Sequence, residues 1–234
     1  MFAAGGGRRD KKIYASGYTS EVMETLDLYC ERLGPGGWAE PFNASTNLAF
    51  FLAAWAVWRI GADARRPGLD TGLLVLLIVA IGTGSALFHV FATPATRVAD
   101  ELPILVFQLC FVWLYGRRVI RLGRYGALAL LAAFFVLAMA GRQFPQVLNG
   151  SLVYAAAVAF IVGLGAYHAL ARRREPWLLL WAAALLGISV ALRTVDNALC
   201  DAFPPGTHFL WHLLNAVVLY LASRALLVNL ASLR

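Results

Sequence analysis

Charged residues are scarce in this chain. Aspartate, glutamate, lysine and arginine together make up 14% of its 234 residues, against roughly 25% in soluble domains. Acidic residues are the rarer kind, with 13 against 20 basic ones, whereas 60% of all residues are hydrophobic. This composition argues against a soluble globular domain and indicates a protein embedded in lipid.

The excess of basic residues does not indicate nucleic-acid binding. The arginines stand in short groups between apolar runs, as is typical of membrane proteins. The sequence shows neither a glycine-rich phosphate loop nor a basic face interleaved with aromatic residues. Residues 1–12 are rich in glycine and arginine, and no apolar segment of a cleavable signal peptide follows them. We therefore expect no nucleic-acid partner.

Seven apolar runs predict an all-α integral membrane protein, a bundle of seven transmembrane helices. A membrane helix needs about 20 apolar residues, and its backbone groups have to be hydrogen-bonded within the helix. We expect one domain over residues 26–234, preceded by a flexible tail over residues 1–25. The predicted helices cover residues 43–60, 71–91, 102–115, 125–140, 148–171, 176–192 and 207–228.

The distribution of arginines predicts the orientation in the membrane. The loops after predicted helices 1, 3 and 5 hold ten arginines, whereas the loops after helices 2, 4 and 6 hold three. The positive-inside rule then places the N-terminus outside and the C-terminus in the cytoplasm. The basic residues Arg8 and Lys12 in the tail count against this orientation. Most acidic residues lie at the face opposite the arginine-rich loops, where a cation site would suit them.

Three of the four histidines are predicted to share one membrane face and to bind zinc. His89 lies near the end of predicted helix 2, and His208 and His212 lie in the first turns of helix 7, for which Thr207 is a candidate N-cap. The spacing of four places the last two on one side of a helix, and three histidine ligands leave a fourth zinc position for water. His168 falls on the opposite face and is excluded. Histidines that only make hydrogen bonds remain the alternative, although polar groups at this depth are usually functional.

Ser85 and Asp100 are the candidate catalytic residues beside this zinc. Ser85 precedes His89 by four residues, so its hydroxyl shares the helix face of the histidine. Asp100 is predicted to stand at the start of helix 3, where it either interacts with the helix dipole or acts as a general base and acid. A serine hydroxyl at this position can donate to a developing oxyanion.

Three segments resemble the alkaline ceramidase family, within the CREST superfamily of seven-helix membrane hydrolases. They are YCERLGPGGWAEPFNASTN, GTGSALFHVFATPATRVADELP and RTVDNALCDAFPPGTHFLWH. The resemblance, to a bacterial-type member, implies zinc-dependent hydrolysis of the amide of ceramide or a related N-acyl lipid. The products would be a free fatty acid and a sphingoid base or amine, and the expected location is the bacterial inner membrane.

The resemblance also implies roles for individual residues. It assigns the zinc ligands and the residues that handle the water, and it gives Asp196 a structural or supporting role near the zinc ligands. The residues assigned to zinc and water are His89, His208, His212, Ser85 and Asp100.

A calcium site and a disulfide are implied by the same resemblance. The oxygen-rich candidates for calcium are Asp27, Glu31 and Glu40, since hard cations prefer such ligands. Their spacing departs from the animal pattern, and solvated loop carboxylates are the alternative. A Cys30–Cys200 bridge would be chemically allowed on an extracytoplasmic face.

Three other functions use the same residues. A zinc-dependent membrane hydrolase of ester lipids would use the same attack chemistry. A receptor-like seven-helix protein would use zinc structurally, as would a transporter with Arg193 and Asp196 as an intramembrane polar pair. The sequence does not show the Gly- and Pro-interrupted helices in corresponding halves that a transporter predicts.

Overall fold

A computed structural model describes residues 25–63 and 68–231, which form eight α-helices. The predicted tail over residues 1–25 therefore lies, except for Thr25, outside the described residues. A π-helical turn, Tyr115–Ile120, extends the fourth helix, and a 3₁₀ helix, Val147–Tyr154, precedes the sixth. The α-helices are α1 (Pro41–Thr46), α2 (Leu48–Asp63), α3 (Leu69–Phe91), α4 (Pro94–Leu114), α5 (Arg124–Arg142), α6 (Ala155–Leu170), α7 (Leu178–Leu199) and α8 (His208–Ala231).

The helices pack in chain order and the bundle closes on itself. Each helix from α3 to α7 contacts the next one, and α2 contacts both α3 and α8. Large buried side chains such as Phe50, Ile78, Phe134 and Leu226 fill the centre. Because lipid is as apolar as these side chains, van der Waals packing and hydrogen bonds hold such helices together. Closure of the ring places the last helix beside the first part of the chain.

Six helical segments in the described part of the chain are long and apolar enough to cross a membrane. They contain the helices α3 to α8, which makes the protein an integral membrane protein. The seventh predicted span, residues 43–60, is divided into α1 and α2. At the division, side chains compete with backbone amides for the carbonyl oxygens of the helix. Thr46 Oγ1 donates to the Phe42 carbonyl, and Asn47 Nδ2 donates to the Asn43 carbonyl. With 16 residues, α2 is about 24 Å long, less than the roughly 30 Å of a bilayer core.

The helix α4 begins eight residues before the predicted start of the segment 102–115. Its N-terminus is a capping box, in which the Thr93 hydroxyl accepts from the Thr96 amide and the Thr96 hydroxyl accepts from the Thr93 amide. Pro94 occupies the first helical position, where no amide is needed. Asp100 therefore lies in the second turn of α4 and not at its start, so its predicted N-terminal position is wrong. Hydropathy missed these turns because they carry charged residues.

Two further boundaries differ from the predicted ones. The predicted helix 148–171 starts as the 3₁₀ helix and is kinked, since Leu148, Asn149 and Gly150 all have left-handed backbone angles. The predicted helix 176–192 continues to Leu199. Arg193 and Asp196 consequently lie inside α7, which fixes the direction of both side chains relative to the bundle.

Candidate metal centre

The three histidines that the spacing singled out meet at one point. His89 lies in the last turn of α3, His208 is the first residue of α8, and His212 follows one turn later. One ring nitrogen of each lies within 4.8 Å of the other two, and all three side chains are buried. No other group of three histidine, cysteine or acidic side chains in the described ranges comes together in this way.

Hydrogen bonds fix which nitrogens of two histidines face inward. Nδ1 of His89 contacts the Glu40 carboxylate, and Nδ1 of His212 lies 2.9 Å from Thr46 Oγ1. Since Thr46 donates its own hydroxyl hydrogen to the Phe42 carbonyl, His212 Nδ1 is the donor in that pair. The two Nε2 atoms then carry lone pairs and face each other at 3.1 Å. Two acceptors at this distance repel each other unless a cation lies between them.

The donor set fits a tetrahedral divalent ion such as zinc. Two nitrogens that each lie 2.0–2.1 Å from a tetrahedral zinc are about 3.3 Å apart, close to the 3.1 Å between the His89 and His212 Nε2 atoms. Nδ1 of His208 is buried and has no hydrogen-bond partner within the described chain. An orphaned buried nitrogen is costly, and a metal would satisfy it. Three neutral imidazoles are ligands that zinc prefers.

Ser85 and Asp100 lie beside this centre, as the sequence predicts. Ser85 Oγ is 3.5 Å from His212 Nε2, and the Ser85 hydroxyl interacts with the Asp100 carboxylate. Gly84 permits this arrangement, because a Cβ at that position would lie 1.9 Å from the Ala99 carbonyl oxygen. The backbones of α3 and α4 approach most closely at this glycine. The close approach places a hydroxyl, a carboxylate and a histidine nitrogen next to one another.

Glu40 contacts the histidine cluster, although the sequence indicated a calcium ligand at this position. Its carboxylate binds His89 Nδ1 and accepts hydrogen bonds from Arg32 Nε and Asn43 Nδ2. Burial by itself would raise the pKa of Glu40, but His89 and Arg32 outweigh it and leave the pKa below its ordinary value. Arg32 also donates to the carbonyls of His89 and Gly34. A carboxylate that orients a metal-binding histidine is a recurrent arrangement, and nothing in the sequence alone pointed to it.

Glu31 binds backbone amides at the start of α1. Its two carboxylate oxygens accept from the backbone amides of Phe42 and Asn43, at 2.5 and 2.8 Å, in the first turn of α1. Burial raises the pKa of Glu31, and these two amides oppose the rise. The carboxylates of Glu31 and Glu40 thus both accept hydrogen bonds from N–H donors of the chain. Calcium binding by Asp27, Glu31 and Glu40 stays a prediction of the sequence alone.

Asp196 supports the centre from α7. This fully buried carboxylate accepts from the amides of Thr207 and His208, at 2.6 and 2.9 Å, and from the Cys30 amide at 3.0 Å. Thr207 stands at the predicted N-cap position, but its hydroxyl donates to the Leu192 carbonyl. The cap of α8 is therefore Asp196, supplied from the preceding helix, and it fixes the backbone of a metal-site histidine.

The segment before α1 covers the centre. Cys30 and Cys200 are joined by a disulfide with a Cα–Cα distance of 5.0 Å. The ring of Tyr29 stacks on the ring of His208, with centroids 3.6 Å apart. Gly206 has a φ of +66°, and a Cβ there would lie 2.3 Å from the Asp196 carboxylate. Gly206, in the turn before α8, is thus needed to bring α8 and this covering segment together.

His168 lies apart from this cluster. Its Nδ1 contacts the Tyr115 hydroxyl at 2.5 Å and its Nε2 contacts the Arg174 carbonyl at 3.0 Å. Both ring nitrogens are therefore engaged with protein groups. The buried ring links α6 to the π-helical turn and the loop that follows α6.

An apolar cavity inside the bundle begins next to the metal centre. The Phe50 ring, in its wall, lies 6.3 Å from the His212 ring, and Trp211 is the neighbour of His212 in sequence. The lining includes Phe50, Ile81, Phe107, Phe134, Leu186 and Trp211. A hydrocarbon chain is the kind of ligand that such a lining accommodates.

Comparison with known proteins identifies a family. The family model described as Ceramidase matches residues 36–232. The matched region contains the three histidines, Ser85 and Asp100. None of the curated proteins matches the sequence.

Proposed function

We propose that this chain, which belongs to the Ceramidase family, is a zinc-dependent membrane hydrolase of N-acyl lipids. The reaction is cleavage of the amide of ceramide or a related lipid into a free fatty acid and a sphingoid base or amine. Family membership implies a hydrolase that acts on amide bonds. The convergence of His89, His208 and His212 within 4.8 Å carries the proposed metal dependence.

The three histidines would hold the zinc, and the surrounding groups keep them in place. Glu40 holds the His89 ring, Thr46 holds the His212 ring, and Asp196 holds the backbone at His208. Zinc bound there would supply a Lewis acid that polarises the amide carbonyl and makes a water acidic near neutral pH. The protein contributes a dry, rigid environment in which this charge is stabilised.

Ser85 and Asp100 handle the proton and the developing charge. A water oxygen forms a bond to the acyl carbon, and the carboxylate of Asp100 accepts the proton of that water. The Ser85 hydroxyl donates a hydrogen bond to the carbonyl oxygen as it becomes negative. The C–N bond then breaks, and Asp100 passes its proton to the leaving nitrogen. Proton and electron pair are thereby balanced without a further reactant.

The apolar cavity gives a position for the lipid substrate. The acyl chain occupies the apolar cavity, whose wall reaches the metal centre through Phe50. We propose that α2, which closes the ring between α3 and α8, serves as the seventh membrane helix.

We also propose an orientation for the chain, with the N-terminus outside and the C-terminus in the cytoplasm of a bacterial inner membrane. A disulfide on the face of the metal centre agrees with that orientation, because the outer face is oxidising.

The test is release of fatty acid by purified protein in detergent. Ceramides, N-acyl amines and phospholipids are supplied with and without a zinc chelator, and bound metal is measured by elemental analysis. We expect chelator-sensitive release from N-acyl lipids, lost in His212→Ala together with the metal and retained in the matched control His168→Ala. Release from ester lipids alone would favour an esterase, and bound metal without any hydrolysis would favour a receptor-like role.

A further inference from the structure

A second cavity, lined by arginines, lies behind the metal centre. It has a volume of ≈ 220 Å³ and is called the arginine cavity below. Its lining contains three guanidinium groups and only one carboxylate, so its walls carry a net positive charge. The polar lining consists mainly of Arg97, Arg142, Arg193, Glu101, Tyr29 and Tyr154.

One of the three arginines, Arg193, forms no salt bridge in the described ranges. Glu101 is shared by two of them, Arg97 at 2.8 Å and Arg142. Arg193 donates to two neutral groups, the Ser151 hydroxyl at 2.9 Å and the Asn149 carbonyl at 3.2 Å, and the Asp100 carboxylate acts on it only through space. A half-buried guanidinium that forms no salt bridge is costly, and a bound anion would offset this cost.

Aromatic rings place Arg193 against the metal centre. Its guanidinium carbon lies 5.9 Å from the Tyr29 ring centroid, 5.3 Å from Tyr154 and 5.8 Å from Trp211. The Tyr29 ring is in turn stacked on His208 at 3.6 Å. One aromatic ring therefore separates the charged cavity from the metal-site histidines.

The arginine cavity and the apolar cavity are adjacent, since they have a lining residue in common and a third cavity borders both. A small intermediate cavity contains Glu101, Arg142 and Tyr154 from the arginine cavity together with Ile104 and Gln108 from the apolar cavity. Tyr154 lines all three. The cavity at the end of the bundle is charged and the cavity inside the bundle is apolar. An anionic lipid has the same arrangement, a charged headgroup followed by an apolar chain.

We propose that the arginine cavity binds the anionic headgroup of the lipid, a phosphate or a carboxylate. This inference rests on the proposed function and narrows it: the substrate is an N-acyl lipid with a negative headgroup, and neutral ceramide is the poorer substrate. Guanidinium groups bind phosphate and carboxylate in a bidentate geometry. Three of them around one cavity provide donors for that geometry, and Tyr29 of the same lining stacks on His208.

Matched pairs of lipids test the proposal. Ceramide is compared with ceramide 1-phosphate, and an N-acyl ethanolamine with an N-acyl amino acid of the same chain length. We expect the wild-type protein to have the lower KM for the anionic member of each pair. In Arg142→Gln the ratio of kcat/KM for anionic over neutral lipid falls about tenfold, the effect of losing one charge-assisted hydrogen bond. Arg124→Gln, at the opposite end of the bundle, removes the same charge and leaves the ratio unchanged.

Direct binding separates this proposal from the proposed function. Dodecyl phosphate is titrated into wild type, Arg142→Gln and Arg193→Lys, and inorganic phosphate is added as a competitor. Arg193→Lys keeps the positive charge but loses the paired N–H donors of the guanidinium group. The thermal midpoint of this variant reports any damage to the fold. Arginine-dependent binding without any hydrolysis would refute the hydrolase and keep the headgroup site. Hydrolysis with no anionic preference and no effect of Arg142→Gln would refute the headgroup site alone, as would inorganic phosphate that binds as tightly as dodecyl phosphate.

Discussion

Replacing Glu40 by glutamine tests whether the histidine cluster is a supported metal site. The side chain keeps its size but loses the charge that holds His89 Nδ1–H and pairs with Arg32. Loss of such a supporting carboxylate typically weakens metal binding or activity about 10- to 100-fold. That range corresponds to about 1.4–2.8 kcal/mol. We expect Glu40→Gln at the upper end, because Glu40 is 1% exposed and water cannot replace its contacts.

The assay is competition for zinc against a chelator of known affinity. Purified wild type, Glu40→Gln and Glu175→Gln are titrated, and metal per protein is measured after each step. Glu175 is the matched control, since it pairs with Arg224 at the opposite end of the bundle and is partly exposed. Wild-type zinc affinity in Glu40→Gln would refute the orienting role. A fall in thermal midpoint with unchanged zinc affinity would show that the carboxylate serves only to neutralise Arg32.

The structure makes three further predictions. Asp196→Asn, which can accept fewer of the three amide hydrogen bonds, should destabilise the protein by about 3 kcal/mol or more, measured by thermal unfolding in detergent; an unchanged midpoint would rule out the capping role. Gly84→Ala should separate α3 from α4 and lower kcat with bound zinc retained, whereas Gly72→Ala, whose Cβ meets nothing within 4 Å, should do neither; equal kinetics in the two variants would contradict the close approach. Cys200→Ser should lower stability by about 2–4 kcal/mol, and added reductant should lower the midpoint of the wild type but not of the variant.

The histidine cluster could be predicted from the sequence because the prediction needs only the spacing of residues in one helix and a count of helices. A spacing of four stacks His208 and His212 on one helix face, and counting helices between them and His89 determines the membrane side. Neither step needs the exact ends of the helices. Errors of several residues, such as the late predicted start of α4 or the early predicted end of α7, therefore left the cluster intact.

The groups that support the cluster could not be predicted because they come from distant parts of the chain. Glu40 lies 49 residues from His89, and Arg32 reaches the His89 carbonyl across 57 residues. Such pairs leave no periodic signal in a single sequence. Hydropathy also places segments of mixed polarity poorly, since the charged first turns of α4 count as loop. Acidic residues near an N-terminus suggest a cation site in general, and only the contacts show that the Arg32 guanidinium pairs with Glu40.

The split origin of the ligands has a consequence for assembly. His89 belongs to the second long helix, and His208 and His212 belong to the last described one. An ion bound by all three histidines would join α3 to α8, so binding would draw the equilibrium toward the closed ring. The three side chains can meet only after the ribosome has delivered α8, so the proposed metal site is among the last features of the fold to form.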